Sequence, residues 1–188
     1  VVGEVAASDT PQKVITMKAL VVYESMFGNT EQIARAVASG LGESVDVQLT
    51  EVADAPADPG PDVALIVAGG PTHAFSMSRE NTRADAISKG APEGEREFGL
   101  REWMAALPSG QHAEKIATFD TKIKSMRHLP GSAAKSAAKI ARRHGYESVA
   151  RAESFYVDDL DGPLLDGEID RARAWGRQLA TSITKAAS

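Results

Sequence analysis

Between Ser25 and Glu31 the chain reads Ser-Met-Phe-Gly-Asn-Thr-Glu, small, hydroxylated and amide residues with no lysine or arginine among them. At the opening of a helix such a run presents free backbone N–H groups and the positive end of the helix dipole to an anion. Ser25 and Thr30 add hydroxyl donors, and Gly28 lets the backbone curl without a Cβ in the way. Neutral donors suit a phosphomonoester that stays bound. A nucleoside triphosphate is poorly served, because no P-loop lysine meets its β and γ phosphates and no GxGxxG is present. The plainer assignment is that Asn29 or Thr30 only caps the helix.

A second run, Gly69-Gly70-Pro71-Thr72-His73-Ala74-Phe75-Ser76-Met77, joins two glycines to a proline. That combination makes a stiff backbone that other groups can approach closely. His73, Phe75 and Met77 are of a size to cover a flat ring system. Taken singly, Phe75 and Met77 more often pack the core, and a lone His73 is more often surface or structural.

Other chemistries find less support. The absence of cysteine excludes disulfides, thiol catalysis and thiolate metal sites. His73, His112, His128 and His144 lack metal-ligand spacing, and no G-x-S-x-G elbow exists for a Ser-His-Asp hydrolase. Val157–Gly162 with Glu168 has the outline of the end of an EF-hand loop. Val157 stands where the first carboxylate is needed, however, and Pro163 follows the glycine. Those acids read as caps of the last helix. The basic stretch Lys122–His128 reads as a solvated loop, with an acidic partner or a cofactor phosphate as alternatives.

The elements that must position these residues follow from periodicity. Ala19–Tyr23 and Val63–Ala68 are apolar and rich in β-branched residues, as strands buried on both faces of a parallel sheet are. Ser44–Val52 alternates like an edge strand, and Lys115–Phe119 and Ser148–Val157 complete a set of five. Helical spacing runs through Glu31–Leu41, Phe98–Leu107, Gly131–His144 and Asp166–Lys185. Residues 53–61 read as a connection with a residual helical turn. Thr72–Glu97 shows no period and is expected to be a long functional loop. Strands alternating with helices predict an α/β, doubly wound five-stranded parallel sheet in the order 2-1-3-4-5. In that order ligands bind beyond the carboxyl ends of strands one and three.

The 188 residues, 43% hydrophobic and 25% charged, predict one globular domain over 17–188, with 1–16 as an N-terminal extension. The extension has neither a basic start nor a long apolar middle, so no signal peptide is expected and a cytoplasmic protein follows by default. A net charge of −5 argues against nucleic acid, and no apolar run is long enough to span a membrane.

ALVVYESMFGNTEQIA resembles the phosphate-loop segment of flavodoxin-like proteins, in which Ser/Thr-x-Thr-Gly-x-Thr opens the first helix. VAGGPTHAFSM is similar to the ring-binding loop of flavodiiron flavodoxin domains and, more distantly, of flavodoxin-like quinone reductases. The resemblance extends from Met17 to about Lys185. It implies that Ser25, Met26, Gly28, Asn29 and Thr30 hold the phosphate of flavin mononucleotide (FMN). Phe27 takes the place of the third-position threonine, as an aromatic does in flavodiiron-type loops. It further implies that Pro71, Thr72, His73 and Phe75 line the isoalloxazine, with Phe119, Asp120 and Thr121 touching it from the turn after the fourth strand. The segment FDTKIKSMRHLPGSAAK departs from the corresponding loops of both short flavodoxins and quinone reductases. The implied function is electron transfer between redox partner proteins by a monomer or weak homodimer, with no catalytic residue or metal of its own. The alternatives are an FMN-dependent NAD(P)H:quinone reductase and an interaction module without cofactor.

Overall fold

The structure is a computed structural model and describes residues 17–92 and 97–186; the proposed extension 1–16 lies outside them. Its strands are β1 (Lys18–Tyr23), β2 (Asp46–Glu51), β3 (Val63–His73), β4 (Ser76–Met77), β5 (Lys115–Ile123), β6 (Glu147–Ser148) and β7 (Glu153–Val157). The helices are α1 (Asn29–Leu41), α2 (Glu80–Ser88), α3 (Leu100–Ala106), α4 (Ala133–His144) and α5 (Glu168–Ala186). The sheet runs β2-β1-β3-β5, with β6 and β7 both on the outer edge of β5, and every one of these pairings is parallel. This is the expected 2-1-3-4-5 order with the fifth strand broken in two.

Consecutive residues of the central strands alternate between two buried layers. Val21, Leu65, Val67 and Phe119 face α1 and α5, while Leu20, Val22 and Ile66 face α3 and α4. Burial on both faces is why these strands read as unbroken apolar runs. In the first layer Phe119, Phe155 and Trp175 meet edge to face, with centroids 6.1 to 6.2 Å apart. Helices α1 and α5 touch backbone to backbone there: a Cβ on Gly176 would lie 2.3 Å from the Val37 carbonyl oxygen, and one on Gly40 would lie 2.0 Å from that of Arg173. Gly176→Ala is therefore expected to push the helices apart and cost about 1–3 kcal/mol. Urea denaturation measures the loss; an unchanged midpoint would mean the contact yields without strain.

Three expectations are corrected. First, Gly69-Gly70-Pro71 does not end the third strand, and β3 continues to His73. Pairing of β3 with β1 stops at Gly69, so on that flank the remainder of β3 is an edge, where proline is tolerated. Second, the region 72–97 is not one irregular loop. Ala74 and Phe75 form a tight turn, both with positive φ (45° and 64°), that returns the chain antiparallel through β4 and on into α2. The helix was invisible to periodicity because only Arg83 and Ala86 of it are buried, so polar contacts dock it in place of an apolar stripe. Third, β5 extends to Ile123, which puts Phe119, Asp120 and Thr121 inside the strand and not in the turn after it.

Candidate functional site

At the carboxyl edge of the sheet the chain leaves β1 and enters α1 through Gly28, whose φ of 83° only glycine adopts freely. Neither Asn29 nor Thr30 caps this helix; both are its first residues. Ser25 Oγ accepts the Glu31 N–H at 3.2 Å and so closes the loop on itself. The backbone N–H groups from Met26 to Thr30 have no acceptor among the described residues. Five unfilled donors at a helix N-terminus form a cradle for an anion.

The cradle borders a narrow slot. Its walls are Met26, Phe27, Asn29 and Thr30 from the first loop, Pro71, Thr72 and His73 from β3, and Thr121 from β5. Eight of the residues singled out by sequence thus converge. The slot floor is knit by a 2.7 Å hydrogen bond between the Thr30 and Thr121 hydroxyls. Ser25 and Gly28 line, with Met26 and Phe27, an adjoining groove of about 690 Å³ whose charged lining residues are Glu24, Glu31, Glu51 and Arg83. Those carboxylates do not suit an anion.

Four of the implied contacts take other roles. Phe119 is fully buried in the aromatic core, and its ring occupies the space a Gly69 Cβ would need, 2.1 Å away. Gly69 is thus demanded by Phe119, and Gly70 by Leu100, which a Cβ would approach to 2.9 Å. Asp120 is fully buried as well. Its Oδ2 accepts from the Thr72 hydroxyl (3.1 Å) and from the Ala134 N–H (2.9 Å), and Thr72 Oγ1 accepts the Ala133 N–H at 2.8 Å. Asp120 and the Thr72 hydroxyl therefore cap α4 and tie β3, β5 and α4 together. Phe75, at the hairpin tip, is 44% exposed and is not among the residues that line the slot.

Sequence reasoning missed the far wall, made of Ile123, Val157 and Leu160. The chain after β7 folds over the α1 N-terminus, where Asn29 Nδ2 donates to the Asp161 carbonyl at 3.0 Å. Gly162 packs so tightly on the Asn29 amide that a Cβ would lie 2.7 Å from its Oδ1. The signal was available: in a 2-1-3-4-5 sheet the end of strand five neighbours the end of strand four. Glu168, considered as a calcium ligand, instead accepts the Tyr156 N–H at 2.9 Å and pairs with Arg171.

His73 is the one titratable side chain among the described residues lining the slot. Burial pushes its pKa below the usual 6.5, partly offset by Asp85. Its folded value lies below its unfolded one, so the associated stability is present above pH 6.5 and is lost as pH falls through the folded midpoint. The His73 imidazole is expected to titrate by NMR with a midpoint below 6.5. A midpoint at or above that value would show a solvated ring.

The slot has an open volume of about 30 Å³, room for roughly two waters at ~10–15 Å³ each. A flavin-sized ring needs a pocket of roughly 300 Å³ or more. The phosphate end of such a cofactor therefore fits the site as it stands. The ring end needs more room than the slot holds in this structure.

No protein-family profile matches the chain, and no curated protein matches it by sequence. Solved structures do. A flavodoxin from the domain Archaea superposes with a TM-score of 0.63 at 21% identity, over 89% of this chain and 99% of that one. Flavodoxin 1 from Bacillus cereus gives 0.62 at 16% identity, over 89% and 97%. The diflavin flavoprotein A3 from Nostoc sp. gives 0.54 at 14%, over 90% and 95%. Sheet order and these superpositions agree, and the chain has the flavodoxin-like fold.

Proposed function

We propose that this protein binds FMN non-covalently and carries electrons between protein partners. The observation that supports the reading best is the cradle of five unoccupied, uncharged N–H donors from Met26 to Thr30, set at the carboxyl edge of the sheet beside the slot. Solved structures of the same fold are described as flavodoxins. The Met26–Thr30 amides would hold the phosphate, and Pro71, His73 and Phe27 would bound the ring. FMN supplies one- and two-electron redox chemistry when bound.

What the chain's own residues contribute is placement. The neutral cradle adds no cation near the slot, and the slot walls are mostly apolar or hydroxylic. His73, kept neutral at pH 7 by burial, adds none either. Among the large exposed hydrophobic residues of those described, Leu160 lines the slot and Phe75 lies two residues beyond His73, which lines it too. Such apolar rims favour protein contact.

Titration of the purified protein with FMN tests this. FMN fluorescence should be quenched at one equivalent, and FMN should bind at least about 100-fold more tightly than riboflavin, a gain of ~2.8 kcal/mol from the phosphate. Equal affinity for the two flavins, or no quenching by either, would remove the basis of the reading.

A further inference from the structure

In the basic stretch after the fourth strand Lys122 is buried, and Lys124, Ser125, Arg127 and His128 are exposed, as a solvated loop would have them. Lys124–Met126 form a 3-10 turn, and Lys124, Ser125, Arg127 and His128 together line a hollow whose far side is Asp158. The hollow has a volume of about 340 Å³, within the range that admits a nucleotide fragment. It adjoins the slot. Ile123 and Val157, paired in register at the ends of β5 and β7, line the slot, and the next residue of each strand, Lys124 and Asp158, lines the hollow.

We infer that this hollow binds the phosphate monoester of a nucleotide-sized co-substrate that reaches from it toward the slot. Neither Lys124 nor Arg127 has a carboxylate partner among the described residues. Arg127 Nε donates to His128 Nε2 at 2.9 Å, which holds the guanidinium in the hollow and leaves its Nη groups for an anion. Arginine with lysine and a serine hydroxyl is a donor set matched to a phosphate dianion. The loop backbone is held from beneath, since Lys122 Nζ donates to the carbonyls of Leu129 (3.0 Å) and Gly131 (3.1 Å). Asp158 opposes an anion.

The inference rests on the flavin reading only for what the ligand would meet in the slot. The test is a titration of the full chain, FMN-loaded and FMN-free, with adenosine 2′-monophosphate, adenosine, NADPH and NADH, followed by amide NMR. Adenosine 2′-monophosphate and NADPH should shift the amides from Lys124 to His128. Adenosine should shift none, and NADH should bind several-fold more weakly than NADPH. Lys124→Ala/Arg127→Ala should weaken adenosine 2′-monophosphate at least tenfold without changing FMN affinity, and Asp158→Asn should tighten it. The inference is overturned by shifts confined to Met26–Thr30, by no shift at all, or by an unchanged affinity in the double variant. If FMN fails to bind while adenosine 2′-monophosphate still moves these amides, the flavin reading falls and the hollow stands. If FMN binds and these amides stay still, the hollow falls and the flavin reading stands.

Discussion

Ser25→Asp is expected to weaken FMN binding by about 100-fold or more while leaving the thermal midpoint unchanged or raised. The two effects have opposite signs for one reason. Ser25 Oγ already accepts the Glu31 N–H in the first turn of α1, and a carboxylate in that position is a stronger cap that also meets the positive end of the dipole. The same negative charge stands beside the cradle and repels a phosphate. Two unit charges about 4 Å apart near a protein surface interact by ~4 kcal/mol, so repulsion of a dianion readily exceeds the ~2.8 kcal/mol of a hundredfold change. Isothermal titration with FMN and a thermal melt of the flavin-free protein read both. A variant that binds FMN normally would show that the phosphate sits elsewhere.

Arg83→Met should destabilise the protein by about 3–5 kcal/mol, the usual result of leaving a buried charge without its partner. Arg83 is only 1% exposed, and Glu24, at the end of β1, only 4%. Ser78 Oγ donates to Glu24 Oε1 at 2.5 Å, and the Leu100 N–H donates to Oε2 at 2.8 Å. Arg83 donates to Ser78 Oγ at 2.9 Å and to the Glu97 carbonyl at 3.1 Å, and it pairs with Glu102 at 3.1 Å. This cluster joins α2 and α3 to the strand that leads into the anion cradle.

The loss should depend on pH. Burial raises the Glu24 pKa above its usual 4.5, and the nearby charge of Arg83 is among the influences that lower it. Without the guanidinium the folded value rises further above the unfolded one. The associated stability is then fully present below pH 4.5 and is lost as pH climbs through the folded midpoint. The deficit relative to wild type should be small at pH 4.5 and largest near neutrality, and Glu24→Gln/Arg83→Met should recover much of it. Urea denaturation at the two pH values decides; a deficit that does not change with pH would assign it to lost packing alone.

Arg83 also shows where sequence reading meets its limit. Nothing in the stretch Thr72–Glu97 announces a helix, because α2 is held by a network of hydrogen bonds and charges. Such a network leaves no period in the sequence. Asp120 is a similar case. From sequence it looked like a polar residue beside a ring, and in the fold it is a fully buried strut that caps α4. The distinction turns on how far β5 continues past Phe119, and strand ends carry no local signal stronger than their partners' positions.

The strand-helix alternation and the uncharged opening of α1 were legible along the chain, since each depends on local apolar periodicity and on residue types within one turn, and five strands so alternating pointed to the 2-1-3-4-5 order. That Phe119 and Gly69 serve the core, that the segment after β7 closes the far wall of the slot, and that Lys124, Arg127 and Asp158 surround one hollow became visible in the fold alone. Those are contacts between segments distant in the chain, and their geometry comes from packing across the sheet, which no window of neighbouring residues contains.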